Sequence, residues 1–418
     1  MPRAAAAPRR SVEGEPVDDA GSARPRFRST AGDGMGARRA DPLAAARIKL
    51  RDAFTPSQPV SNPRMFAGRD RLLDQLIHAI ENQRVHVVLY GDRGIGKTSL
   101  LRVLGRQAGE ARYLVDYSSC GEDTGFGDLF RGVAGSVPLL YHADHPPTSD
   151  EAARGGTLSD LLGAEPPTPR EISDLFARLA GTRLLVILDE FDRSSPTFRR
   201  QVAELVKTLS DRSARVQIVI AGVAANLTEL VEHIPSIRRN IVGVGVTGLS
   251  ADEVKQMIRI GERVSGLSYD EAAVDRIAEV ADGSPYLAGL LGQHAGFAAL
   301  DRESTTVGVE DVRVAVRRAA DEVGTRLSER SRAAAGRVDE AGRDRLVALA
   351  QAALRGTGRF GAPALEAVVP DAGERGRALD ELVATGLIEE AGQGEDRHHR
   401  FTEEGVPTFL WLTRAARD

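Results

Sequence analysis

The chain has 418 residues, 42% of them hydrophobic, and its 55 basic and 60 acidic residues give a net charge of −5. This length predicts two or three domains with real cores, and the acidic balance argues against a globally basic nucleic-acid binder. The single cysteine excludes a disulfide framework and a cysteine-rich zinc site, and no run of about 18 apolar residues predicts a membrane span.

The first part of the chain leads into the folded region. Residues 1–40 are rich in Arg, Pro, Gly and Ala, which predicts a disordered basic N-terminal tail that is either solvated or touches an acidic partner or nucleic acid. This stretch lacks the apolar core of a signal peptide, so a cytoplasmic location without membrane association is expected. A helix over 41–51, an extended lead-in over 54–60 and a helix from Leu72 to Ile80 follow.

A phosphate-binding loop lies between an apolar strand over 85–90 and a helix that begins at Ser99. The segment 91–98 reads G-D-R-G-I-G-K-T, a full match to the P-loop pattern G-x-x-x-x-G-K-[ST]. Its glycines allow backbone N–H groups to face phosphate oxygens, Lys97 adds a positive charge, and Thr98 can ligate Mg²⁺. The residues predicted to bind nucleotide here are Gly91, Asp92, Arg93, Gly94, Ile95, Gly96, Lys97, Thr98 and Ser99.

A second motif ends the apolar strand predicted over 184–190. Asp189 and Glu190 follow five aliphatic residues, as in a Walker B strand. Asp189 is expected to hold Mg²⁺ and Glu190 to orient and polarise the attacking water, which gives Glu190 and Lys97 catalytic roles.

Strands and helices alternate around the two motifs. A strand is predicted over 112–117, a short helix over 126–133, an irregular proline-rich connection over 135–170 and a helix over 171–179. After the Walker B strand come a helix over 198–209 and strands over 216–221 and 241–246. The predicted fold class is therefore α/β, a P-loop NTPase parallel sheet sandwiched by helices, with its core at 41–248.

The pattern becomes helical after Gly248. Ser250 and Glu253 form a capping box, and four helices are expected in a lid over 249–322. Residues 323–340 are polar and are assigned to a linker, with an exposed helix as the alternative.

The last unit, 341–418, is predicted to hold three helices followed by a hairpin. Helix, helix, helix and wing resemble a winged helix-turn-helix. Its arginines are outnumbered by acidic residues, so phosphate attraction is weak, and the partner of this unit is either DNA or a protein.

Together these motifs resemble AAA+ and STAND ATPases of the initiator and archaeal type. The F-x-G-R box is matched by 66–69, the D-E-x-D Walker B by 189–192, and the G-x-P motif of the lid by 283–285. The resemblance implies that ATP and Mg²⁺ bind between core and lid, with Phe66, Gly68 and Arg69 on the adenine side and Pro285 approaching from the lid. An ordinary turn before a helix and a plain helix start are the alternatives for the first and last motifs.

Two positions depart from the family pattern. The strand over 216–221 is followed by Gly222 where a polar sensor is usual, and Asn226 comes four residues late. Arg238 and Arg239 stand where the resemblance implies an arginine finger that acts on a neighbouring subunit. This arrangement predicts a homo-oligomer. A solvated pair at a helix end is the alternative.

The sequence thus predicts a slow ATPase that acts as a nucleotide-driven switch and binds ATP and ADP. One hypothesis is a DNA-associated ATPase. The other is a signalling or scaffold switch that recruits a protein through its winged helix.

Overall fold

A computed structural model describes residues 42–56, 58, 66–145, 150, 154–224, 227, 230, 240–355, 359–391 and 398–417. The predicted N-terminal tail therefore lies outside the described residues. Over the remainder, a sheet-containing core is followed by a helical lid and a C-terminal unit.

Five parallel strands form the central sheet of the core, in the order β2-β3-β4-β1-β5. Their residues are largely aliphatic and buried, as expected for a parallel sheet covered on both faces. The strands are β1 His86–Gly91, β2 Leu114–Ser119, β3 Leu184–Asp189, β4 Val216–Val223 and β5 Ile241–Val246.

Helices cover both faces of this sheet. One face packs on a cluster that includes Phe130, Phe176 and Phe198, and the other on a cluster that includes Leu76 and Leu101. The helices are α2 Asp70–His78, α3 Lys97–Glu110, α4 Phe126–Gly135, α5 Pro169–Ala177 and α6 Pro196–Asp211. The predicted α/β sandwich is confirmed.

Between α4 and α5, where an irregular connection was predicted over 135–170, only part of the chain is described. The described part contains two short 3-10 turns, Leu139–Tyr141 and Leu158–Leu161. The second begins with a capping box at Thr157, so even this connection satisfies its backbone locally.

The lid is a helical bundle with a small parallel sheet. Its helices are α7 Ala251–Ser265, α8 Glu271–Ala281, α9 Pro285–Asp301 and α10 Val309–Thr325, and its strands are β6 Ser268–Tyr269 and β7 Thr306–Val307. The expected Ser250 capping box is present, with Glu253 N donating to Ser250 Oγ and Ser250 N donating to Glu253 Oε2.

The first helix, α1 Pro42–Ala53, belongs to the lid, which corrects the assignment of 41–51 to the core. Leu50 and Phe54 are buried in the lid cluster, where the Phe54 ring lies 6.1 Å from that of Tyr269. Gln293 also donates to the Phe54 carbonyl, at 2.5 Å. The assignment was wrong because α1 is next to the core in the chain but packs on the lid in the folded protein.

The segment 323–340, assigned to a linker, is another correction. α10 runs to Thr325, and α11 Glu329–Arg337 follows at once. Leu327 and Ala335 are buried in the cluster of the C-terminal unit, and Ser331 donates to Glu403 at 2.5 Å. Two apolar side chains in the right places are enough to dock a segment whose average composition is polar.

The C-terminal unit combines helices with a three-stranded antiparallel sheet of order β8-β10-β9. Its elements are α12 Glu340–Arg355, β8 Arg359–Phe360, α13 Ala362–Val368, α14 Ala372–Ala384, β9 Ile388–Ala391, β10 His398–Phe401 and α15 Gly405–Ala415. The three helices and the hairpin were expected, whereas α15 was not. No helix within the described residues is long and apolar enough to cross a membrane.

Candidate functional site: a nucleotide cleft

The P-loop connects β1 to α3 in the predicted way. Gly96 precedes α3 with φ of 96°, a left-handed conformation that glycine adopts without steric cost. Lys97 is 8% exposed, and its Nζ donates to the carbonyls of Gly91 at 2.8 Å and Asp92 at 2.6 Å. The loop therefore wraps around its own lysine and fixes where the positive charge lies.

The electrostatics of this lysine reflect its acidic surroundings. Burial lowers the pKa of Lys97, and the carboxylates of Asp192, Asp189 and Asp92 oppose that shift. Burial also raises the pKa of the Asp92 carboxyl to about 6, against the opposite influence of Lys97. Several nearby carboxylates thus favour the charged form of Lys97, whose direct hydrogen bonds are to the two loop carbonyls.

The two predicted metal ligands lie side by side. Thr98 Oγ1 donates to Asp189 Oδ2 at 2.7 Å, and Tyr117 OH donates to the same oxygen at 2.6 Å. The Glu190 N–H donates to the other oxygen, Asp189 Oδ1, at 2.9 Å. A hydroxyl and a carboxylate beside a phosphate-binding loop form a donor set that suits Mg²⁺, which usually takes its other ligands from phosphates and water.

Glu190 is held at the mouth of the cleft by two contacts. Its backbone is left-handed, with φ of 54°, which turns the side chain away from the strand direction. Ser119 Oγ donates to Glu190 Oε2 at 3.0 Å, and Arg193 Nη1 donates to the same oxygen at 3.1 Å. Both contacts are therefore made to one carboxylate oxygen, Oε2.

The position of the expected polar sensor is filled from another element. A Cβ on Gly222 would lie 2.9 Å from Asp192 Oδ1 and 2.8 Å from Leu230 Cδ2, so no side chain fits there. Instead, Val223 N donates to Asp192 Oδ1 at 2.8 Å. The turn that follows β3 thus brings a carboxylate to the end of β4; Asn226 itself lies outside the described residues.

The lid closes the cleft over the P-loop. A Cβ on Gly96 would lie 3.7 Å from Pro285 Cγ, so the lid proline is close to the loop, as the resemblance implied. The cavity between core and lid has a volume of about 630 Å³. The predicted site residues that line it are Arg93, Gly94, Gly96, Lys97, Thr98, Ser99, Asp189, Glu190 and Pro285.

Residues 65–220 match the family model described as AAA ATPase domain. This part of the chain is an AAA ATPase domain. The match covers both Walker motifs and the F-x-G-R box, and it confirms the resemblance to AAA+ ATPases; assignment to the STAND branch stays a prediction. A search of the curated proteins finds no significant match.

Several solved structures match most of the chain at low sequence identity. Cdc6p of Pyrobaculum aerophilum is 15% identical, with 88% of this chain and 98% of that chain covered and a TM-score of 0.46. The ORC1 protein of Aeropyrum pernix, solved in complex with DNA, is 16% identical, with 84% and 94% covered and a TM-score of 0.44. The Thermotoga maritima RuvB Holliday junction branch migration motor is 16% identical, with 80% and 91% covered and a TM-score of 0.41.

The F-x-G-R box of the AAA domain lies behind the P-loop. Arg69 is buried and donates from Nη2 to the carbonyl of Ile95 at 3.0 Å. Phe66 packs on the core cluster, and Gly68 lies against the Glu253 side chain of the lid. These contacts support the loop from outside the cleft, and the predicted role of the box on the adenine side stays a prediction.

The part of the cleft that the lid and α1 form is built largely from residues that no motif identified. They come from the end of α1, the segment after it, α7 and α9: Asp52, Ala53, Thr55, Pro56, Gln58, Met257, Ile260, Tyr286 and Gly289. The extended lead-in was predicted from its prolines, but its placement against the lid depends on the docking of α1. Arg238 and Arg239 lie outside the described residues, so the arginine-finger role stays a prediction.

Proposed function

We propose that the chain binds ATP with Mg²⁺ in the cleft between the AAA core and the lid, hydrolyses it slowly, and uses the cycle as a conformational switch. The convergence of Lys97, Thr98, Asp189 and Glu190 on one cavity beneath Pro285 carries this proposal. Such a cavity suits a nucleoside triphosphate, because the charged groups gather at one end and apolar side chains of the lid gather at the other.

The chemistry that these residues support is positioning and charge neutralisation. The loop N–H groups and Lys97 bind phosphate oxygens, and Thr98 with Asp189 would hold magnesium, which supplies charge neutralisation when bound. Glu190 accepts a hydrogen bond from the attacking water and takes up its proton.

Slow turnover follows from the state of Glu190. Its Oε2 accepts hydrogen bonds from the Ser119 hydroxyl and the Arg193 guanidinium, so these contacts compete with a water molecule for this oxygen. A conformational step before chemistry is typical of nucleotide switches.

The C-terminal unit, proposed here as a winged helix, favours a protein partner over DNA. In α14 and the strands beside it, Arg375 binds Glu366, Arg377 binds Glu374 and Arg400 binds Glu389. Arginines already paired with carboxylates attract phosphate weakly. We therefore propose that the switch recruits a protein through this unit, and the homo-oligomer and DNA-associated hypotheses become outcomes of the test.

Nucleotide titration tests the core of the proposal. Lys97→Ala should reduce ATP affinity by about a hundredfold, because a cation that the loop holds at the phosphates is lost. Lys207→Ala, an exposed lysine on α6, removes the same charge outside the site and should leave affinity unchanged. A folded Lys97→Ala protein with wild-type affinity would refute ATP binding at this loop.

ATPase assays with duplex DNA and with increasing protein concentration address the partners. Turnover and ATP affinity are expected to be independent of DNA at physiological salt. A salt-sensitive stimulation by DNA would instead support the DNA-associated hypothesis, and a rise in specific activity with protein concentration would support the homo-oligomer.

A further inference from the structure

Tyr117 is a polar group at the nucleotide cleft that belongs to none of the motifs. It lies on β2, the edge strand of the sheet, and its hydroxyl donates to Asp189 Oδ2 at 2.6 Å. No line of sequence reasoning singles it out, because the contact joins two strands that are about 70 residues apart in the chain.

The strand pairing explains how this tyrosine reaches the carboxylate. β2 and β3 are parallel, with Tyr117 opposite Ile187 and Ser119 opposite Asp189. Tyr117 therefore lies two residues before the carboxyl end of β2, and its long side chain spans the distance from there to Asp189. A shorter hydroxyl side chain at this position would not reach Asp189.

The phenol ring is itself held in one orientation. The Arg102 guanidinium of α3 lies 5.2 Å from the ring centroid, a cation–π arrangement. The phenol O–H is a hydrogen-bond donor at physiological pH.

Asp189 Oδ2 receives two hydroxyl donors, but only one of them is itself a predicted metal ligand. Thr98 has a second role, because a lone pair of its oxygen must also face magnesium while its proton is donated to Asp189. Tyr117 has no such second task. It can therefore keep Asp189 in one orientation both before and after the metal binds.

We infer that Tyr117 is a positioning residue of the magnesium site, which orients the Asp189 carboxylate through its hydroxyl. The inference rests on the proposed binding of ATP with Mg²⁺ in this cleft. Partners that orient a metal ligand typically contribute about tenfold or more in metal affinity.

A Mg²⁺ titration of ATP binding by the full chain tests this role. Tyr117→Phe keeps the ring and its contact with Arg102 but removes the hydroxyl. Its midpoint Mg²⁺ concentration should rise about tenfold, while ATP affinity in excess EDTA stays at the wild-type value. The control is Tyr113→Phe, which removes a phenol just before β2 that does not line the cleft and should leave the Mg²⁺ midpoint unchanged.

A second variant keeps the test informative if Tyr117→Phe folds poorly. Arg102→Ala leaves the hydroxyl in place but frees the ring, and a smaller shift of the midpoint in the same direction is expected. A wild-type midpoint in Tyr117→Phe, or an equal loss of affinity with Mg²⁺ and with EDTA, would overturn the positioning role while the proposed function stands. Mg²⁺-independent nucleotide binding by the wild-type chain would overturn both.

Discussion

At the scale of single residues, the cleft divides into groups fixed by motifs and groups supplied by neighbouring strands. Lys97, Thr98 and Asp189 were predicted because their spacing within a motif determines their geometry. Ser119 was not, because its contact depends on strand order, and Asp192 ends the D-E-x-D match but its contact with β4 depends on a turn whose conformation no local pattern specifies. The glycine at 222 was noted as a departure, but the carboxylate that occupies its space was not expected.

The two acidic residues that end β3 should respond differently to substitution. Glu190→Gln retains size and hydrogen bonding but removes the base, so turnover should fall by about a hundredfold or more while ATP still binds. Asp189→Asn should instead weaken the Mg²⁺-dependent part of ATP binding. Single-turnover assays and binding titrations separate the two effects, and wild-type turnover in Glu190→Gln would assign water activation to another residue.

The ion pair of Glu190 gives a prediction of the opposite sign. Arg193 and Glu190 are 61% and 45% exposed, so their interaction is worth at most about 1 kcal/mol. Arg193→Ala should therefore raise turnover by no more than about fivefold, because the carboxylate is freed at that small cost. A large fall in turnover would show that Arg193 acts on the phosphates rather than restraining the base.

At the scale of elements, the hydrophobic patterns predicted where helices and strands lie in the sequence. They were less reliable in predicting which of these elements pack together. The strand over 241–246 and the helix over 362–368 were found as predicted. Helix α15 was not, because Pro407 and a mixed pattern obscure its apolar positions Val406, Leu410 and Leu412. The docking of α1 on the lid depends on contacts across about 240 residues, which periodicity cannot report.

The first residue of β1 is a buried histidine, His86, which makes the free energy of unfolding depend on pH. Ile218 N donates to His86 Nδ1 at 2.9 Å, and burial lowers the pKa of His86 to about 4. Since the unfolded-state pKa is near 6.5, the unfolded chain binds more protons between these values, and the free energy of unfolding falls as pH drops from 6.5 toward 4. Over this whole pH range, the lowered pKa of His86 changes the free energy of unfolding by about 3 kcal/mol.

His86→Phe tests this coupling through chemical denaturation at several pH values. At pH 7.5 the variant should be less stable by about 1–3 kcal/mol, because the Ile218 N–H is left buried and unpaired. Its stability should decline less steeply below pH 6.5, so that the two curves converge in acid. Parallel curves over this range would show that another group carries the acid sensitivity.

At the scale of the whole molecule, the lid and the C-terminal unit are joined far more firmly than the C-terminal unit and the P-loop. Trp411 Nε1 donates to the Val280 carbonyl at 2.7 Å, and Arg355 binds Asp282 through two nitrogens, each at 2.9 Å. Leu412 and Ala415 of α15 are buried in the lid cluster. Toward the P-loop, Arg93 and Glu404 form an ion pair at 3.0 Å, in which both side chains are mostly exposed.

This difference predicts which contact responds to nucleotide. ATP places negative charge beside Arg93, which draws the guanidinium toward phosphate and repels Glu404, and an exposed pair resists this by at most about 1 kcal/mol. The contacts with the lid are accompanied by the buried side chains Leu412 and Ala415 and should persist. We therefore expect the C-terminal unit to move with the lid as one body, away from the P-loop.

Disulfide crosslinking can measure this motion, since the single native cysteine, Cys120, is buried and burial raises its pKa to about 12. The pair Asp92→Cys with Thr408→Cys lines the gap beside this contact and leaves Arg93 and Glu404 in place, and it should crosslink several-fold more slowly when ATP is added. The pair Asp282→Cys with Arg355→Cys, across the lid interface, is the matched control and should crosslink at the same rate with or without ATP. Slowing of both pairs would mean that the C-terminal unit leaves the lid as well, and equal rates at Asp92 and Thr408 would mean that nucleotide does not move this contact.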